Sequence, residues 1–198
     1  MDIMLNFINR THDINNSEYV IFQKNVATSD PVAVAWKVIK NCGQGDHHPF
    51  TFPMTMSIGA SDSDGNYMPQ IPAEYGCLYS VVLTHSGHQL GKTGSGSSPE
   101  EVQVRNDLSQ GAINANCYKD GKLLATRTGI APQQKAVFEF KPTIWIGAVS
   151  KVEEGEVMSA AMISEVDTEI SLLGVRSADI VATGGAPISF TLEKVVKV

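Results

Sequence analysis

No segment of the 198-residue sequence carries the three-to-four residue apolar spacing of a convincing helix. Helix bundles and alternating strand–helix folds are therefore not expected. Cysteine is scarce: Cys42, Cys77 and Cys117 are odd in number, widely spaced and without a CxxC. No disulfide framework follows, and free thiols in a reducing compartment are expected. No apolar run approaches the ~20 residues of a membrane span. The opening MDIMLNFINRTHD has no basic segment and its apolar stretch is broken by Asn6 and Asn9, so no signal peptide and a cytoplasmic location are expected. Basic residues are also few, 15 against 21 acidic, for a formal charge of −6. They are scattered, whereas nucleic-acid binding needs clustered Lys and Arg to neutralise phosphates.

What the sequence does contain is alternation. VAVAWKVI sets Val32, Val34, Trp36 and Val38 against Ala33, Ala35, Lys37 and Ile39. EVQVR sets Val102 and Val104 against Glu101, Gln103 and Arg105. KAVFEFK sets Ala136, Phe138 and Phe140 apart, and ISFTLEK does so for Ile188, Phe190 and Leu192. Period two is the mark of half-buried strands, because successive side chains leave opposite sheet faces. Turn signals interrupt these runs at Asp64-Gly65, Asp120-Gly121, Gly184-Gly185 and several prolines. ANCYKDGKLLAT predicts a hairpin with a type I′ turn at Asp120-Gly121. The expected fold is all-β: one antiparallel β-sandwich domain over residues 1–198, or a flattened barrel, with little or no helix. No internal repeat or linker is evident.

Four motifs invite chemistry. SGHQLGKTGSGSS (Ser86 to Ser98) contains Gly-Lys-Thr, but only three residues separate Gly87 from Gly91, one fewer than a phosphate-binding loop needs. No helix follows to offer its N-terminus, so a surface loop or hairpin tip is expected. His47 and His48 in GDHHPF, with His85 and His88 in an HxxH, could bind a divalent metal together with Asp46 if the segments met. DSDGN (Asp62 to Asn66) begins like a calcium loop, yet Tyr67 and Ala73 stand where Gly and Glu are required, which leaves a turn. EEGE (Glu153, Glu154, Glu156) and EVDTE (Glu165, Asp167, Glu169) are acid groups, and the second predicts three carboxylates on one solvated strand face. Trp36 and Trp145 are expected in the core. Tyr67, Tyr75, Tyr79, Met54, Met56 and Met68 suit a core, a ligand pocket or an interface.

Two stretches carry a resemblance. Tyr19 to Pro53 (YVIFQKN…VAWKVIKNCGQGDHHPFTFP) and Phe138 to Ser159 (FEFKPTIWIGAVSKVEEGEVMS) together resemble the rhizosphere-expressed rhizobial protein family, the rhiA-like small all-β proteins of bacteria and fungi. The resemblance implies a non-enzymatic role in microbe–host or environmental interaction and a ligand pocket, with a small-molecule chromophore among its occupants. It supplies no catalytic residues, and neither the GDHHPF histidines nor the glycine-rich segment belongs to its pattern.

The functional expectation is a soluble, non-enzymatic binding or interaction protein that associates with itself. No catalytic residue or resident cofactor is assigned. One alternative is a lipid-binding sandwich similar to the aegerolysins, docking through aromatic loops. The other is a metal-binding protein or metal-dependent enzyme using His47, His48, His85 and His88.

Overall fold

The computed structural model describes residues 2–29 and 32–198. The chain folds as two compact units, each a pair of four-stranded sheets. The first unit holds residues 2–24, 32–54 and 142–198, and the second holds 25–29 and 55–141. The second is thus inserted into the first, and no stretch of distinct composition marks the crossings, so the sequence reads as undivided.

In the first unit, one sheet has the order β16-β15-β1-β4, formed by Ile188–Lys197, Val175–Gly184, Ile3–Thr11 and His47–Phe52. The other has the order β14-β13-β2-β3, formed by Thr168–Ser171, Thr143–Val149, Glu18–Phe22 and Lys37–Ile39. Phe7 of β1 lies 4.6 Å from Tyr19 of β2, and Tyr19 lies 6.0 Å from Phe190 of β16, so the aromatic rings join the two sheets. In the second unit, the order β11-β10-β5-β6 is formed by Lys122–Ile130, Ile113–Lys119, Met56–Asp62 and Tyr67–Ala73. The order β12-β9-β7-β8 is formed by Lys135–Phe138, Val102–Asn106, Cys77–Thr84 and Gly87–Ser95. Ile58, Ala115 and Cys117 from the first of these sheets share a core with Tyr79, Val81, Val104 and Phe138 from the second.

The all-β expectation is met, with open sheets and, among the described residues, one six-residue helix, α1 (Ala160–Glu165), capped by the Ser159 hydroxyl. Two pairings, β1 with β15 and β7 with β9, are parallel, where antiparallel pairing was expected throughout. Asp120 and Gly121 both have positive φ, as the predicted type I′ turn requires. The expected strand over VAVAWKVI is reduced to β3 plus a single bridge from Val34 to Val157. Burial of Ala33, Val34, Ala35 and Trp36 in succession replaces the expected two-faced alternation. The segment lies against residues 155–158, through hydrogen bonds from Ala35 N to Glu156 O, Gly155 N to Ala35 O and Met158 N to Ala33 O.

The strand pairings also reveal a duplication that the sequence reading did not. Every pairing has a counterpart eight strands along the chain, with the same sense. The parallel pair β1/β15 matches β9/β7, and β1/β4 matches β9/β12. The pairs β2/β3, β2/β13, β13/β14 and β15/β16 match β10/β11, β10/β5, β5/β6 and β7/β8. The trace in sequence is short: Phe50, Phe52, Thr55, Ile58, Gly59 and Ala60 recur as Phe138, Phe140, Thr143, Ile146, Gly147 and Ala148 at constant spacing. Two repeats, β1–β8 and β9–β16, are therefore present. Neither folds on itself. The first unit joins β1–β4 of the first repeat to β13–β16 of the second, and the second unit joins β5–β8 to β9–β12.

The units have diverged where their connections differ. The first unit has long β2–β3 and β13–β14 connections, which pair at residues 33–36 and 155–158 and, with α1, cover Val20, Phe22 and Val149. The second unit has only the Asp120-Gly121 turn and the Asp62–Asn66 turn at those places. By register, Asn116 and Tyr118 take the positions of Val20 and Phe22, and both are half-buried. A face that is covered is apolar, and its uncovered counterpart is amphipathic.

Candidate functional site

At one end of the second unit three connections converge: the β5–β6 turn, the β7–β8 turn and the β9–β10 loop. Asp62, the last residue of β5, is only 5 % exposed. Its carboxylate accepts hydrogen bonds from Asp64 N at 3.0 Å, from Asn66 N at 2.9 Å and from the Asn66 side-chain amide at 3.0 Å. His88 Nδ1 lies 2.9 Å from its Oδ2. These donors, the Asn66 side chain first and its backbone amide next, hold the Asp62 pKa down at about 2. An ionised carboxylate only accepts, so His88 Nδ1 carries the hydrogen, and in the neutral imidazole Nε2 is then the acceptor.

Two clefts of 380 and 370 Å³ meet at this pair, and Asp62, Asp64 and His88 line both. The first is flanked by Tyr67, 79 % exposed, and Leu83, 69 % exposed. The second runs along Gln110, Gly111 and Ala112 of the β9–β10 loop. The arrangement offers a fixed imidazole acceptor, a carboxylate-rich floor and an exposed ring with an aliphatic neighbour. It can hold a small ligand that presents hydroxyl or N–H donors beside an apolar face.

The first unit has a cleft of 310 Å³ at the corresponding end. It lies between the β1–β2 loop (Asp13, Asn15, Ser17), the end of the β13–β14 connection (Glu165, Asp167) and the β15–β16 turn. Asn9 pairs with Ala182 and Asn106 with Val81; counting from these pairs along the hairpins puts Ile188 where His88 stands. The two corners thus share a scaffold and differ in chemistry. Asp13 accepts hydrogen bonds from the amides of Asn15 and Ser17, and Ser17 is the main cause of its lowered pKa.

The four histidines do not form the ligand set considered from the sequence. His47 and His48 are consecutive on β4, opposite Ile8 and Phe7, so their side chains leave opposite faces. His47 Nδ1 meets the Asn6 amide at 3.3 Å. His85 sits in the exposed β7–β8 turn, and His88 has a carboxylate partner in Asp62. Asp46 instead closes its own turn, accepting from Gly43 N at 2.8 Å. Among the described residues, no three His, Cys, Asp or Glu side chains gather as a metal site.

The glycine-rich segment, expected as a surface loop or hairpin tip, opens at the β7–β8 hairpin turn but runs on as strand: Gly91-Lys92-Thr93 lies within the edge strand β8, with Lys92 Nζ 2.7 Å from Glu74. In the DSDGN turn, protein donors fill the Asp62 oxygens. The three acids of EVDTE do not share a strand face, because Glu165 ends α1, Asp167 precedes β14 and only Glu169 lies on it. Trp36 is buried, 5.4 Å from Phe52, as expected. Trp145 is half-buried, with Lys24 Nζ 3.3 Å from its ring centre. The partnership of Asp62 with His88 was missed; twenty-six positions separate them, and no motif links them. Family models, curated proteins and solved structures yield no match to this chain.

Proposed function

We propose that the protein is a non-enzymatic binding protein that holds a small, donor-bearing ligand at the Asp62–His88 corner of its second unit. The observation that carries this reading is the buried carboxylate that orients the His88 ring through Nδ1, at the meeting of two clefts flanked by exposed Tyr67 and Leu83. A neutral polyol or saccharide suits such a corner, since hydroxyls donate to imidazole and to the Asp64 carboxylate while a sugar face stacks on an exposed ring. The resemblance to rhiA-like proteins supports a setting in microbe–host or environmental interaction.

The test is saturation-transfer NMR of the full chain with a panel of neutral saccharides and polyols, beside native mass spectrometry for retained small molecules. The expected result is transfer to at least one ligand, with affinity reduced about tenfold or more in His88→Ala, as for loss of an oriented hydrogen bond in a desolvated site. Absence of transfer across the panel together with a clean polypeptide mass would overturn the reading. So would binding that survives His88→Ala unchanged.

A further inference from the structure

The first unit is assembled from three pieces of chain, and the last of them, residues 142–198, is covalently joined to the others only through residues 55–141 of the second unit. Residues 2–24 and 32–54 supply β1–β4, and residues 142–198 supply β13–β16. Every contact between these pieces is non-covalent, and all three cysteines are free. Eight residue pairs join β1 to β15, five join β2 to β13, and the two long connections pair at 33–36 and 155–158.

From this chain path we infer that a second copy of the protein is a partner, joined by reciprocal exchange of residues 142–198. Each copy's β13–β16 takes, on the other, the place it holds on its own chain. Both second units stay intact. The exchanged dimer keeps every strand pairing of the closed chain, so the closed form is favoured only by the proximity that its tether provides. For this tether, residues 55–141, that effective concentration is taken at the scale of flexibly linked modules, on the order of 1 mM. Exchange therefore needs an opening of the first unit and a protein concentration near that value.

Selectivity for a second copy is built into the long connections. Residues 33–36 find their hydrogen-bonding partners at 155–158, and at the matching place the first repeat's own second half carries only the Asp62–Asn66 turn. β1–β4 is thus completed by a β13–β16 segment from any copy, and less well by β5–β8 of its own repeat. Proline lies at the two crossings that bracket residues 55–141, at Pro53 before the first and Pro142 after the second. A proline biases the residue before it towards extended backbone, which suits a strand that runs on rather than turns back.

The experiment mixes unlabelled and 15N-labelled full-length protein near 1 mM, the concentration set by the tether. The mixture is held just below the unfolding temperature, cooled, diluted, and read by light scattering and native mass spectrometry. Dimers of twice 21.3 kDa are expected, mixed-mass dimers the most abundant, persisting after dilution because reclosure again requires opening. The same treatment is given to an Asn6→Cys/Asp179→Cys variant, whose cysteines occupy paired positions in β1 and β15. Oxidised as monomer, it should give no dimer; exchanged while reduced and then oxidised, it should give dimers crosslinked between these two positions. Monomer alone after incubation of the unmodified protein would overturn the inference. Dimers formed equally well by the oxidised variant would also overturn it, since they would arise from surface contact.

Discussion

Asn9 and Asn106 make the same hydrogen bonds in the two units. The side-chain oxygen of each accepts from the amide two residues on, Thr11 N at 2.9 Å and Leu108 N at 3.0 Å. The side-chain amide of each donates across to a carbonyl, Cys42 O at 2.6 Å and Ile130 O at 2.9 Å. Their backbone groups also match: Asn9 N binds Asp46 O and its carbonyl receives Gly45 N, while Asn106 N binds Gln134 O and its carbonyl receives Gln133 N. Gly45 and Gln133 both have positive φ. An asparagine at the end of the first strand of each repeat thus ties that strand to the same distant turn.

Replacing either asparagine with alanine strands several buried partners. Asn106→Ala and Asn9→Ala are each expected to destabilise by about 1–3 kcal/mol. Urea unfolding monitored by tryptophan fluorescence should register Asn9→Ala more directly, because Trp36 and Trp145 both lie in the first unit. A shift below about 0.5 kcal/mol, the level of an ordinary surface change, would count against the role assigned to these bonds.

Gly147 and Gly59 hold the same register position, but a methyl group meets different surroundings at each. At Gly147 it would stand 2.6 Å from Val166 Cγ2, beneath the long connection. At Gly59 the nearest atom is Tyr118 Cε2 at 3.3 Å, the end of a half-buried ring able to move. Gly147→Ala should therefore cost about 1–3 kcal/mol and Gly59→Ala less. Adding Val166→Ala should recover part of the Gly147→Ala loss, and a double-mutant cycle in urea measures that coupling.

Acid should weaken the candidate site through Asp62. Its folded pKa is depressed to about 2 from an ordinary 3.8. A depressed carboxylate pKa adds stability that is complete above the unfolded value and is lost as pH falls through the folded one. The window is therefore roughly pH 4 to 2. Asp62→Asn should flatten the pH dependence of stability within that window, and thermal unfolding of both proteins from pH 5 to pH 2 tests this.

Lys24 above the ring of Trp145 gives an optical signature. Burial lowers the Lys24 pKa, with Glu169 opposing the shift. Lys24→Met should remove a cation–π contact of about 0.5–1 kcal/mol and alter Trp145 emission. An unchanged spectrum would count against the contact.

The strands were legible wherever one face is buried and the other wet. EVQVR, KAVFEFK and ISFTLEK declare themselves by alternation, and Asp120-Gly121 announces its hairpin by turn chemistry. VAVAWKVI misled because Ala33 to Trp36 are buried in succession, Ala33 and Ala35 among Val20, Phe22 and Met158 and Trp36 against Phe52, by residues remote in the chain that local spacing cannot encode. The repeat escaped notice because topology preserves pairing and buried position, while the residues at matched places, such as Val20 and Asn116, answer to different cover. At the candidate site, His88 was recognisable as chemistry-bearing. Asp62 was singled out only as the start of a calcium-like turn; its partnership with His88 was not legible, because that pairing depends on which turns the sheets bring to one corner.

The paired connections at 33–36 and 155–158 also constrain how this chain can change over generations. Deleting the first would expose Val20 and Phe22 and leave the second without its hydrogen-bonding edge; deleting the second would do the same to the first. Each is tolerable only in the presence of the other. Single insertions and deletions at these two sites should therefore be purged by selection, and paired ones accepted, although the sites belong to different repeats. Descent with such a lock retains the crossed arrangement of the repeats long after their sequences have drifted apart.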